Sequence, residues 1–283
     1  MDKTKITILC ENRAGNTRGI TGEHGFSALI ERGKEKILLD TGQGMTLKPN
    51  ADALGIDLTD IPTVVLSHGH FDHTGGLPQV LSFSRKVKII AHPNIFDSKY
   101  AAEKTGQGEK KLFIGIKYKK EFLESSLGAD FVFETQYREI SPGIFFSGEV
   151  PRTTEFEHPD RHLLVKKDDV YSVDPLLDDS SLLIETAKGP VIVSGCAHAG
   201  IVNVMNHFRE KSGHKKFHAV LGGTHLGFMG TGDQLQQSLE AFDRFKVDLI
   251  AVSHCTGNEA AAICYNRFKE RFAFANAGWS VVF

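Results

Sequence analysis

The chain has 283 residues, 41% of them hydrophobic and 24% charged, with 33 Lys and Arg against 35 Asp and Glu for a formal net charge of −2. A chain of this size and balance supports a core without staples and lacks the cationic excess that nucleic-acid or membrane-surface binding needs. The opening MDKTKITILCENR has too few consecutive apolar residues for a signal peptide, which needs about 7–15, and no run of about 18 apolar residues could span a bilayer. Four cysteines, Cys10, Cys196, Cys255 and Cys264, without C-x-x-C spacing, argue against a disulfide framework and place the protein in a reducing cytoplasm.

In chain order, Ile6 to Cys10, Phe26 to Ile30 and Lys36 to Asp40 are short apolar runs separated by Gly and charge, which predicts an antiparallel meander. Leu47, Ala51 and Leu54 are spaced as one helix face, ended by Gly55. Val64-Val65-Leu66, a His-rich loop, a helix and Val87 to Ile90 read as a βαβ unit. Residues 99–120 carry seven Lys against two Glu with no clean periodicity and read as an excursion from the core. From Glu155 to Asp179 the chain reads as loops around a Leu163-Leu164-Val165 strand.

The second half repeats the strand, histidine and helix order three times. Val191 to Ser194 leads to Cys196 and His198, Ala219 to Leu221 to His225, and Ile250 to Ser253 to His254, with the last helix reaching about Phe272 and a Ser280–Phe283 strand closing the chain. With His68 after Val64 to Leu66, four apolar runs end in a small residue and a histidine. Functional loops gather at strand carboxyl ends in layered α/β folds, so the four histidine loops are expected at one edge.

His68-x-His70-x-Asp72-His73 packs three imidazoles and a carboxylate into six residues at a strand end. Imidazole with a single carboxylate suits zinc, manganese or iron and disfavours calcium. In an extended segment His68 and His70 point the same way and reach one ion, while Asp72 and His73, past the turn, face a second. Without metal, clustered imidazoles compete for few acceptors and repel on protonation.

This motif, with the following Thr74-Gly75-Gly76-Leu77, resembles the signature of the metallo-β-lactamase superfamily, and Leu39-Asp40-Thr41-Gly42 resembles its early strand-end aspartate. The resemblance spans nearly the whole chain. It implies one αββα domain over residues 1–283, two mixed β-sheets flanked by helices, and one or two divalent ions at one edge, zinc first, with manganese, iron or magnesium as alternatives. Within the superfamily, Thr21 to Leu29, Gly148 to Arg152, Gly195 to Asn203, Gly222 to Leu226 and His254 to Gly257 resemble the group that includes the archaeal dihydropterin-methyl-ribofuranosylaminobenzene phosphate synthase.

Carried over residue by residue, the resemblance implies His68 and His70 for the first ion, Asp72 and His73 for the second, and His254 as the late second-ion histidine. The usual bridging aspartate is replaced by Cys196, either a softer ligand or a buried thiol. The usual third first-ion histidine is also missing. His198 is the substitute expected here, with Asp179 next.

His225 is read as a substrate contact or proton donor, or alternatively as a core histidine. His24, with Glu23, either overhangs the site or forms a surface turn. Arg152 beside Glu149 either clamps a phosphate or carboxylate or makes an ordinary surface pair. The Lys-rich stretch is a lid for an anionic substrate or a solvated face.

The resemblance implies a small-molecule enzyme, with hydrolysis of an ester, lactone, thioester or phosphoester expected first. Asp72 would orient the nucleophile and His225 would protonate what leaves. The alternative is transfer, an organic nucleophile displacing diphosphate from a pterin. A non-hydrolytic metal or redox module is the third option. Substrate, nuclearity and oligomeric state do not follow from the residues.

Overall fold

The computed structural model describes residues 2–84, 86–106, 108–228 and 232–283. The amino-terminal meander forms as expected: β1 (Thr4–Cys10), β2 (Ser27–Arg32) and β3 (Glu35–Leu39) pair antiparallel, with Ile30 opposite both Ile6 and Ile37. After α1 (Leu47–Ala53), the βαβ unit consists of β4 (Thr63–Val65), α2 (Phe71–Thr74), α3 (Leu77–Phe83) and β5 (Lys88–Ala91), with β3, β4 and β5 parallel. Their continuous apolar runs suit parallel strands covered on both faces.

Next come β6 (Ser98–Thr105), β7 (Gly108–Phe113), α4 (Lys120–Leu127), β8 (Asp130–Phe133), β9 (Arg138–Ser141), β10 (Ile144–Phe146), β11 (Leu163–Lys167), β12 (Val170–Val173) and β13 (Ser181–Ile184). The second half then alternates: β14 (Val191–Ser194), α5 (Ile201–Ser212), β15 (Ala219–Gly222), α6 (Asp233–Arg244), β16 (Leu249–Val252) and α7 (Asn258–Phe268). β17 (Phe272–Phe274) and β18 (Ser280–Val282) end it.

Two seven-stranded sheets, ordered β18-β1-β2-β3-β4-β5-β8 and β17-β16-β15-β14-β13-β10-β9, pack face to face. Ile6, Ile8, Phe26 and Val65 of the first meet Leu182, Val193, Leu221 and Ala251 of the second in a buried core. Leu47, Leu77, Val80 and Leu123 seal α1, α3 and α4 to the outer face of the first sheet. Met205, Phe208, Leu239, Phe242 and Cys264 seal α5, α6 and α7 to the second. The layers are therefore α, β, β, α. The apolar residues of α6, Leu235, Leu239 and Phe242, recur at helical spacing and are all buried.

Three features differ from the sequence reading. Residues 99–120 are not an irregular excursion: β6 and β7 form a hairpin that joins β11 and β12 in a third sheet, ordered β12-β11-β6-β7. Much of that hairpin is exposed, so the burial contrast that makes a strand legible is weak. The last helix stops at Phe268; a 3-10 turn at Lys269–Arg271 then feeds β17, which runs parallel to β16. Phe268 and Phe272, four apart, imitate one helix face. Strands β8, β9, β10, β12 and β13 were not anticipated, being short and set among charged residues; β12 lies where only loops were expected around the Leu163 to Val165 strand.

Candidate metal centre

His68 follows β4, Cys196 and His198 follow β14, His225 follows β15, and His254 follows β16. Their carboxyl ends meet at one edge of the sandwich, as the repeated strand and histidine order predicted. The turns there are tight. Asp40 (φ 57°), Ala197 (φ 54°), His225 (φ 55°) and His254 (φ 51°) are non-glycine residues in the left-handed region, a conformation costing about 1–2 kcal/mol per residue and characteristic of functional sites. At Gly195 a Cβ would lie 2.1 Å from Ser67 Oγ and 2.6 Å from Asp40 Oδ2, so only glycine lets β14 end against the histidine loop.

Two adjoining donor groups result. In the first, His68 Nε2 is 3.0 Å from His70 Nδ1 and 3.2 Å from His198 Nε2. In the second, His73 Nε2 is 3.2 Å from His254 Nε2, 3.3 Å from Cys196 Sγ and 3.7 Å from Asp72 Oδ2. Asp72 Oδ2 is 3.4 Å from His254 Nε2 and 3.2 Å from His24 Nε2. All but His24 are buried.

The outer hydrogen bonds settle which nitrogens carry protons. Ser67 Oγ donates to Asp40 Oδ2 (2.6 Å) and therefore accepts from His68 Nδ1 (2.9 Å). His73 Nδ1 donates to Asp40 Oδ2 (2.7 Å), and His254 Nδ1 donates to Asn12 Oδ1 (2.8 Å), which also accepts from Gly25 N. With Nδ1 committed outward in all three rings, it is their Nε2 atoms that point into a shared, buried space. The Nε2 atoms of His73 and His254, 3.2 Å apart, call for a cation between them, proton or metal ion, and second-layer bonds of this kind accompany metal-ligating histidines. The donor set therefore fits one ion per group.

Electrostatics agree. Burial, reinforced by the neighbouring imidazoles, pushes His68 and His198 well below the usual histidine range; burial and Lys99 do the same to His70. All three are thus neutral, as ligation would require. Burial also depresses His73, but Asp40 and Asp72 outweigh it and hold it at about 9, so its position attracts positive charge, proton or metal ion alike. Burial raises Asp72, yet His73, His24 and His254 keep it well below the ordinary carboxylate range. It remains an anion.

The other predicted residues lie as follows. His225 packs against His198 with ring centroids 4.2 Å apart and planes tilted by 56°, and its Nε2 is 3.5 Å from Asp160 Oδ2. Burial lowers His225, while Asp160 and Cys255 raise it, to about 9. Asp179 does not join either group: its Oδ2 accepts from Ala199 N at 2.9 Å and so holds the His198 loop from behind. Arg152 donates to the carbonyls of His198 (2.9 Å) and Pro175 (3.2 Å), bracing that loop from outside the cavity. Glu149 pairs with His92 at 3.0 Å, away from the site. Glu23 accepts from the backbone of Gln43, Met45 and Thr46.

Sequence reasoning missed Glu11, which accepts from His254 N at 2.6 Å, and Asn12, which orients His254. It also missed Lys99, buried between Asp174 Oδ2 (2.9 Å) and Asp178 Oδ1 (2.8 Å); Asp178 Oδ2 in turn accepts from Gly69 N, between His68 and His70. Only the strand-end position of Glu11 and Asn12 hinted at this. Nothing marked Lys99 among its exposed neighbours.

Above the donors lies a cavity of about 370 Å³. Phe71, Ala101, Leu112, Ile114, Leu163 and Phe228 line it together with the histidines. The third sheet thus forms a roof, contributing Ala101, Leu112 and Leu163 together with Glu103, not the row of lysines a lid for anions would present.

The sequence matches the metallo-beta-lactamase superfamily over residues 20–254. It is 35% identical to the 7,8-dihydropterin-6-methyl-4-(beta-D-ribofuranosyl)-aminobenzene-5'-phosphate synthase of Methanocaldococcus jannaschii, over 100% of this chain and 98% of that one. An uncharacterised protein of the same organism is 34% identical over 90% of this chain and 91% of its own. Among solved structures, one described as a metal-dependent hydrolase of the beta-lactamase superfamily superposes with a TM-score of 0.82 at 26% identity, covering 98% of both chains. With the layered sheets, the strand-end histidines and these full-length matches in agreement, the chain belongs to the metallo-β-lactamase superfamily of enzymes.

Proposed function

We propose that the protein is a two-metal enzyme that cleaves a small, anionic, ring-bearing substrate, hydrolysing a phosphoester or related ester. The observation that carries this is the charge of the donor set. His68, His70, His73, His198 and His254 are neutral as ligands, leaving Asp72 and the cysteine sulfurs at this edge to offset two divalent ions, so a positive surplus faces the cavity. Such a centre favours a phosphate-type group. When bound, the ions polarise the substrate oxygen and make water acidic enough to attack near neutral pH.

The residues of the chain supply the rest. Asp72 Oδ2, held by His24 and His254, orients the attacking group and takes its proton. His225, charged beside Asp160, donates a proton to the departing oxygen. The Phe71, Leu112, Ile114 and Phe228 wall excludes water and packs on a flat ring. Four free cysteines suit a reducing compartment such as the cytoplasm.

A second reading is favoured by the 35% identity to the synthase: the same site would promote loss of diphosphate from a pterin while an organic nucleophile attacks in place of water. The test is release of phosphate or diphosphate from a panel of esters, phosphodiesters and a pterin-methyl diphosphate, with and without an aromatic amine. Release without amine supports hydrolysis, and amine-dependent release supports transfer. His70→Ala should lower bound metal and turnover together; full metal content with normal turnover would refute the assignment.

A further inference from the structure

Cys255 has no role in the chemistry above, yet its sulfur stands at the same edge. A ring nitrogen of His254 and the Sγ atoms of Cys196 and Cys255 all lie within 4.8 Å of one another, and all three residues are buried. Metal–sulfur bonds near 2.3 Å and metal–nitrogen bonds near 2.0–2.1 Å separate tetrahedral donors by about 3.5–4 Å, so small side-chain rotations bring all three onto one ion.

The sulfur of Cys255 is fixed in place. His225 N donates to it at 3.2 Å, and a Cβ at Gly223 would lie 2.6 Å from it. The sulfur in turn donates to the Cys196 carbonyl at 3.4 Å, so it is held between two backbone groups of the same edge. Cys255 also lines the cavity beside Cys196 and His254, so it borders the ion position instead of being sealed in an apolar core.

We propose that Cys255 is a second thiolate ligand at the His73 and His254 position, alongside Cys196, and that this position takes a thiophilic divalent ion. The inference rests on the metal reading above and goes beyond it by adding a donor. Thiolate donors favour zinc, ferrous iron or cobalt over magnesium or manganese. Each thiol gives its proton to solvent as its sulfur takes the ion, so no oxidant or reductant is involved.

Cobalt(II) reconstitution of the metal-free protein tests it. Two thiolates give a near-ultraviolet sulfur-to-cobalt absorption that falls by about half in Cys255→Ser and by about half in Cys196→Ser, and is lost when both are replaced. Zinc X-ray absorption on the unsubstituted, zinc-loaded protein needs no variant to fold, and should count about two sulfur neighbours per ion pair. An unchanged band in Cys255→Ser, or a single sulfur per pair, overturns the role of Cys255 while the metal centre stands. A Cys196–Cys255 disulfide in the zinc-loaded protein, detected by thiol titration, would also overturn it. Failure of the protein to bind cobalt or zinc at all would instead end the metal reading.

Discussion

Replacing Asp40 perturbs the candidate centre without touching a proposed ligand. Asp40 accepts from Ser67 N (2.7 Å), Ser67 Oγ (2.6 Å) and His73 Nδ1 (2.7 Å), and Asp40, Ser67 and His73 are all 0% exposed. No water reaches the donors left behind in Asp40→Ala, and each orphaned buried donor costs about 1–3 kcal/mol; the three together should remove at least about 3 kcal/mol. Alanine adds strain, because position 40 has φ 57°. Asparagine tolerates that backbone and keeps one acceptor, so Asp40→Asn is the cleaner variant. It frees His68 and His73 to turn and removes the charge that favours a cation at His73, for which second-layer losses of about 10–100-fold in metal affinity are typical. The assay is competition for zinc against a chromophoric chelator, with urea unfolding alongside. An Asp40→Asn protein that holds zinc as tightly as its parent would refute the reasoning from tautomers.

Lys99→Met should destabilise the fold by about 3–5 kcal/mol in urea unfolding, because it strands Asp174 and Asp178 without their buried cation. Burial already raises the Asp178 carboxyl, against the opposing pull of Lys99, so losing Lys99 raises it further. A carboxyl raised on folding supports the fold below its unfolded value of about 3.9, and that support is lost as pH rises through the folded value. The deficit should therefore be larger at about pH 8 than at about pH 5; equal deficits would count against the argument. Gly195→Ala drives a methyl into Ser67 and Asp40; overpacking should cost about 1–3 kcal/mol and weaken metal binding, and a variant matching its parent in thermal unfolding and zinc affinity would contradict the packing described.

The legible parts of the protein are those where one local pattern carried the information. His68 to His73 is contiguous, and the runs ahead of His198, His225 and His254 are buried parallel strands with an unbroken apolar signal. The supporting layer was not legible because its members are brought together only by folding: Asn12 and His254 are 242 residues apart, and Lys99 and Asp178 are 79 apart. Arg152 and Glu149 misled for a related reason. Arg152 has the chemistry of a phosphate clamp and Glu149 stands beside it in sequence, but Arg152 is committed to the carbonyls of His198 and Pro175, and Glu149 to His92. The Lys-rich hairpin concealed a strand whose inward residues, Ala101 and Leu112, sit opposite each other above the donors.

The donors come from both halves of the sandwich. His68 and His198 lie on different sheets 130 residues apart, and His73 and His254 are 181 apart. An ion held by such pairs is a rivet through the seam, closing chain loops far longer than most disulfides do, and long closures restrict the unfolded chain most. The same ions that would carry the chemistry thereby clamp the open margin of the molecule, so that losing them would loosen the roof, the donors and the facing sheet edges as one unit.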